Sequence, residues 1–238
     1  MRENNITILC TRPLNENIIQ KAAMQNIGID CYSFIETNQI SSSELIADIH
    51  HLAQKKYAII FTSMNAVNAV VNHLQLIPNW DIYCISGTTK DIATNFFGEA
   101  KIKATAKNAA ELATIISADH SITETIFFCG NQRLNELPEV LTSKGIRVIE
   151  KVVYTTIQTP HNIEKNYSAI LFFSPSAVHS FFSVNNVHNN TIFFSIGNTT
   201  TAAIKTYSNN KIITSEWPGK DAMINLSIQY FTTLQHTT

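Results

Sequence analysis

The sequence predicts an α/β protein with open, doubly wound parallel sheets, organised as two similar halves. Three observations predict it. Short β-rich runs recur roughly every 20 to 30 residues, several of them apolar at nearly every position, as strands covered on both faces require. Segments with helical periodicity lie between most of them. A strand-to-helix motif is also used twice, as IIFTSMNAVNAVV at 59–71 and ILFFSPSAVHSFF at 170–182.

Taken in order, ITILCT is the first strand, and its helix ends at Gly28, a position after a helix and before a strand where a left-handed residue is wanted. DCYSFIE follows as one strand, and Ser41 with Glu44 forms a capping box for the next helix. YAIIFTS and DIYCIS are strands, and the helix over 88–97 ends at Gly98 before KIKAT. TIFFCG is followed by a helix ending at Gly145 and then by RVIEKVVYTT. SAILFFS, TIFFSI and KIITS complete ten strands. In the last stretch the Asn209-Asn210 pair stands where Gly98 stands in the other half, asparagine being the next best left-handed residue.

The repeat has a register. Ser63 matches Ser174 at an offset of 111, while Gly87 matches Gly197 and KIKAT matches KIITS at an offset of 110. A second correspondence joins residues 9–30 to residues 128–147. The chain is one ordered set of elements used twice.

Composition narrows the function. The 238 residues include 45% hydrophobic ones, enough for ordinary cores, and 17 basic against 18 acidic residues give a net charge of -1. Neither nucleic acid nor an anionic membrane surface is an expected partner. No apolar run approaches the ~20 residues of a membrane span, and MRENNITILC lacks a leader's apolar core, so a cytoplasmic protein is expected. Cys10, Cys31, Cys84 and Cys129 show no Cys-x-x-Cys or metal-ligand spacing and are expected as reduced core or strand-end residues.

The candidate site follows from topology. In open α/β sheets ligands collect at the carboxyl ends of strands, where helix N-termini present free N–H groups. That edge carries Thr11, Arg12, Thr62, Ser63, Gly87, Gly130, Ser174, Ser176, Gly197, Thr199 and Thr200. Helix capping explains any single Ser or Thr among them, but several converging hydroxyls and N–H groups bind carboxylates. No Gly-x-Ser-x-Gly elbow, P-loop or dinucleotide fingerprint is present, and no histidine lies at these strand ends. RVIEKVVYTTIQTP is long for a strand, where about 5 to 6 residues is usual. If it leaves one sheet as a connector, Tyr154 lies near the junction of the halves, either as a proton donor or as a ring covering a strand edge.

ILCTRP, YAIIFTSMNAV, FFCGNQRLNELPEVLTSKGIRVIEKVVYTT, YSAILFFSPSAVHSF and FFSIGNTTTAAI, in that order, resemble the uroporphyrinogen-III synthase family over essentially the whole chain. The resemblance implies two flavodoxin-like domains joined by a two-stranded β linker. Residues 1–35 with 158–238 would form one domain and 38–153 the other, with linkers at about 36–37 and 154–157. No cofactor is needed for the implied reaction, no metal is expected, and a monomer is the default expectation. The implied reaction, that of a cyclising hydro-lyase, closes hydroxymethylbilane to uroporphyrinogen III with loss of water and inversion of ring D. Tyr154 matches the tyrosine that assists loss of the hydroxyl. Thr200 or Thr199 matches the threonine of the Ile-Gly-x-Thr-Thr turn, Arg12 the Thr-Arg-Pro arginine, and Ser63, Ser174 and Ser176 the strand-end serines. Lys90 stands where many relatives have the threonine of Gly-x-x-Thr-Ala, that threonine being displaced by one to Thr89, and Arg133 is shifted from the family's basic position. Two rivals remain open: a non-catalytic two-domain protein binding a small anion, and a different tetrapyrrole or sugar-phosphate enzyme on the same topology.

Overall fold

The computed structural model describes residues 6–216 and 219–235; residues 1–5, 217–218 and 236–238, which fall in the expected first domain, lie outside the described residues. The chain opens with β1 (Ile6–Cys10), α1 (Glu16–Ala23), β2 (Ile27–Cys31), β3 (Ile35–Gln39) and α2 (Ser43–Ala53). It continues with β4 (Ala58–Phe61), α3 (Met64–Val71), β5 (Asp81–Ile85), α4 (Thr88–Phe97), β6 (Ile102–Ala106) and α5 (Ala109–Ser117). Next come β7 (Glu124–Gly130), α6 (Glu136–Ser143) and β8 (Arg147–Gln158), then β9 (Ala169–Phe172), α7 (Pro175–Phe182), β10 (Ile192–Ser195), α8 (Asn198–Lys205), β11 (Ile212–Thr214) and α9 (Lys220–Gln235).

These elements form two α/β units, one holding the chain through Glu36 and from Ile157, the other Thr37–Thr156. The first unit's sheet has the order β11-β10-β9-β1-β2, with every neighbouring pair parallel. Counted along the chain, that is the flavodoxin-like order 2-1-3-4-5. Alternate strand residues bury on opposite faces: Ile8, Cys10, Leu171 and Phe194 pack with α9, and Leu9, Ile170, Phe172 and Phe193 pack with α7 and α8. Hence the near-continuous apolar runs.

The second sheet has the order β3-β8-β7-β4-β5-β6. Ile59, Phe61 and Phe128 meet α2, α3 and α4 on one face, while Ile60, Phe127 and Cys129 meet α5 and α6 on the other. Trp80, fully buried before β5, donates its indole N–H to the Leu52 carbonyl at 3.1 Å. The chain passes between the units in β3 and β8, which run antiparallel: Ile40 N–H donates to Val153 O and Thr159 N–H to Phe34 O, each at 3.0 Å.

Several local expectations are corrected. DCYSFIE is two strands, β2 and β3, because the chain changes sheet at residues 32–34, where Phe34 turns into the first unit's core. Gly28 lies inside β2, and the left-handed residue before it is Asn26, with φ 57°. Gly98 and Gly145 do adopt positive φ, but neither Asn209 nor Asn210 does; Asn210 instead donates its side-chain amide to the carbonyls of His188 and Thr191. The cap of α2 is Ser42, accepting from Leu45 N–H at 3.2 Å, rather than Ser41.

Asp30 ties β2 to the segment before β9, accepting from Lys165 Nζ at 2.6 Å and the Tyr167 hydroxyl at 2.8 Å. The Lys165 hydrogen bond is the main reason its carboxyl titrates below the ordinary value of 3.8. A depressed folded value stabilises above the unfolded one and is lost as pH falls through the folded one. Asp30→Asn is therefore expected to flatten the fall in stability below pH 3.8, measured by urea unfolding.

Candidate functional site

In the second unit the strand order reverses between β4 and β7, where a ligand site is expected. Thr62 and Ser63 follow β4; the Ser63 hydroxyl caps α3, accepting from Asn65 N–H at 3.1 Å. Gly130 ends β7, and β8 runs alongside with a shifted register: Cys129 lies opposite Val152, but Gly130 lies opposite Tyr154. Val153 is an extra residue, a bulge that re-aims the next side chain. Without it, successive side chains alternate faces; with it, Val153 and Tyr154 both pack into the core beneath α2, α3 and α4.

The Tyr154 ring then crosses β7 over Gly130. A Cβ at position 130 would lie 2.4 Å from the ring carbon Cζ and 2.8 Å from the phenol oxygen. Glycine is thus required here by side-chain space. The phenol lies near the Ser63 hydroxyl, close enough for that hydroxyl to influence its ionisation. Burial pushes the phenol above the ordinary value of 10.0, the neighbouring Ser63 hydroxyl offsets part of the rise, and the nearby Cys129 adds to it. At neutral pH Tyr154 is a half-buried, protonated phenol. Behind it, Asn131 N–H donates to the Tyr154 carbonyl at 3.1 Å, and the Asn131 side chain accepts from Thr156 N–H at 2.8 Å. On the adjoining strand, Gly87 opens α4 at φ 79° with no side-chain cap.

In the first unit the order reverses between β1 and β9. Thr11 is 1% exposed and its hydroxyl donates to the Leu171 carbonyl at 2.8 Å, closing β1 onto β9. In the repeat this is the position of Gly130, so a side chain fills here the space left open there. Arg12 lays its guanidinium over the Phe173 ring, 5.4 Å from the centroid. It enters none of the seven ion pairs among the described residues, and its buried Nε has no acceptor. A cation fixed on an aromatic face without a carboxylate is suited to receive one. Ser174 caps α7, accepting from Ala177 N–H at 3.2 Å, and Ser176 lies in its first turn. Gly197 opens α8 without a side-chain cap, and a Cβ there would meet nothing within 4 Å. Thr199 is exposed in that first turn, whereas Thr200 is only 1% exposed.

Arg12→Gln is expected to raise KM at least tenfold, because a hydrogen bond to a charged group is worth about 1.5–3 kcal/mol. The melting temperature should hardly move, since no internal carboxylate loses a partner. Steady-state kinetics with thermal unfolding check both, and an equal loss of stability would make Arg12 structural.

The structure therefore gathers Tyr154, Gly130, Ser63 and Gly87 on neighbouring strands of one unit, and Arg12, Ser174 and Gly197 on neighbouring strands of the other. Thr11 and Thr200 are turned inward. Lys90 pairs with Glu99 at 3.1 Å, and Arg133 is held by Glu150 and Asn135, so both bind internal groups. Sequence reasoning missed Phe173 beneath Arg12 and the use of Gly130 as ring space. No sequence signal marked the second, because it depends on the register of β8 against β7. Among the described residues, no group of three His, Cys, Asp or Glu side chains could hold a metal ion, and no helix is long and apolar enough to cross a membrane.

Each unit is a parallel-sheet α/β fold with polar side chains and helix N-termini gathered at its strand ends, the class of protein that binds small ligands at that edge. The chain belongs to the uroporphyrinogen-III synthase family: a profile described as Uroporphyrinogen-III synthase HemD matches residues 21–225. It is thus a cyclase of haem biosynthesis acting on a small tetrapyrrole. The chain is similar to a mutant uroporphyrinogen III synthase from the extremely thermophilic bacterium Thermus thermophilus, with a TM-score of 0.68 and 11% identity over 97% of this chain and 99% of that one. It is also similar to the uroporphyrinogen-III synthetase of Helicobacter pylori, with a TM-score of 0.65 and 17% identity over 94% and 99% of the two chains. At these identities the likeness concerns the fold. No curated protein matches the sequence significantly.

Proposed function

We propose that the chain acts as a hydro-lyase on hydroxymethylbilane, with Tyr154 as the acid that assists departure of the hydroxyl. The observation that carries this reading is the protonated phenol held over Gly130 at the strand reversal. Its proton goes to the leaving hydroxyl, the carbon–oxygen bond breaks, and water and an electrophilic azafulvene result. Ring D attacks through its substituted carbon, giving a spiro intermediate that fragments and recloses as uroporphyrinogen III. The proton lost on rearomatisation restores the phenol.

Uncatalysed closure gives the type I isomer, so the larger task is to hold one folded form of a flexible polycarboxylate. Orientation can supply much of a barrier reduction, with positioned acid assistance contributing about 10²–10⁴-fold. Arg12, Ser174, Ser176, the α8 N-terminus at Gly197 and Thr199 serve acetate and propionate carboxylates in the first unit. Thr62, Ser63 and Gly87 serve them in the second. Thr11 and Thr200 shape the strand ends from beneath, and Gly130 gives the phenol its place. The protein acts as a monomer in the cytoplasm, and its four cysteines are free thiols.

The test supplies catalytic amounts of protein with a large molar excess of freshly made hydroxymethylbilane. Consumption of the excess at a rate proportional to protein is expected. A non-catalytic binder would protect only an equivalent amount and slow its closure.

A further inference from the structure

We propose that Cys10 and Cys31 form a redox-active dithiol in the first unit, convertible to an intramolecular disulfide by a small-molecule disulfide such as oxidised glutathione. The two are direct partners in the β1–β2 register. Neighbouring strands lie about 4.8 Å apart, inside the Cα separation of about 4.4–6.8 Å that a disulfide spans. Both side chains pack on the same face of the sheet, Cys10 in the core and Cys31 against it. Their thiols lie close enough to interact, the one affecting the ionisation of the other.

Access and reactivity are divided between them. β2 is the edge strand, so Cys31 is half-buried and reachable, while Cys10 is fully buried behind it. The neighbouring Cys10 thiol lowers the Cys31 thiol, with help from the Leu14 N–H and against burial and Asp30. The Cys31 neighbour and burial push Cys10 up. A thiolate on the exposed member is the nucleophile that exchange requires. Cys84 and Cys129 are unlike this pair: burial pushes each up to about 11.

The chemistry balances with the disulfide as oxidant. Cys31 thiolate attacks one sulfur of the small disulfide, forming a mixed disulfide and releasing one thiolate. Cys10, giving up its proton, attacks the Cys31 sulfur and expels the second. Two cysteine thiols are oxidised, and one disulfide is reduced to two thiols. The cross-link lies two residues before Arg12 and does not depend on which reaction the protein catalyses.

The intact protein is incubated with oxidised glutathione under native conditions, acid-quenched, alkylated and mapped by peptide mass spectrometry. The expected result is a Cys10–Cys31 disulfide that dithiothreitol reverses, with Cys84 and Cys129 still alkylated. Cys10→Ala is expected to stop at a glutathione adduct on Cys31, and Cys31→Ala, changed at the sheet edge, to form neither species. Four alkylated cysteines in the folded wild-type protein, or cross-links that include Cys84 or Cys129, would overturn the proposal.

Discussion

Gly130→Ala is expected to lower turnover by about 100-fold, the scale of loss for a reacting group displaced by about an ångström. The added methyl would stand 2.4 Å from Tyr154 Cζ, so the ring must leave its place across β7 and give up Ser63. Forcing a methyl into a packed position costs about 1–3 kcal/mol. That cost belongs to the pair and not to Gly130 alone. In a Tyr154→Ala background the ring is gone and the same substitution is expected to cost almost no stability, as denaturant unfolding of the four proteins would show. Equal losses in both backgrounds would mean that the glycine serves the β7 backbone instead.

Tyr154→Phe keeps the ring and removes only the hydroxyl, so it separates chemistry from packing. We expect kcat to fall by about 10²-fold or more with KM nearly unchanged, the signature of an acid that acts in the transition state. Stability should hardly change, since the ring keeps its packing and none of the hydrogen bonds described above is lost. The pH profile gives an independent sign. In the proposed mechanism the working form is the protonated phenol, and a folded value raised above 10.0 keeps it protonated to higher pH. Turnover should persist through pH 10.0 and fall above it. Stability moves the same way: the share arising from the raised value is complete below pH 10.0 and is lost as pH rises through the folded value. Unchanged kinetics in Tyr154→Phe would remove the residue from the mechanism.

The sheets were legible because parallel strands buried on both faces leave continuous apolar runs, and AILF of β9 and IFFS of β10 are written in that form. The repeat was legible because equal capping problems select equal residues: Ser63 and Ser174 cap α3 and α7 alike. The break between β2 and β3 was not, since the chain changes sheet through Tyr-Ser-Phe without a glycine or proline to mark the turn. The meeting of Tyr154 with Gly130 depends on one extra residue, Val153, and no residue type announces a bulge of that kind. Arg12 on Phe173, and Cys10 beside Cys31, depend on strand neighbours and register that a single sequence does not reveal. Thr11 and Thr200 show the opposite limit: a hydroxyl at a strand end can be identified from sequence, but the direction it faces is decided by the carbonyls and packing around it.

The identity of the ring-closed product tests the account most directly. Purified protein is given freshly generated hydroxymethylbilane, the products are oxidised, and the type I and type III uroporphyrins are separated by chromatography. Predominant type III, in a proportion that rises with protein concentration, is the predicted result. Type I alone, at the rate of a control without protein, would contradict it.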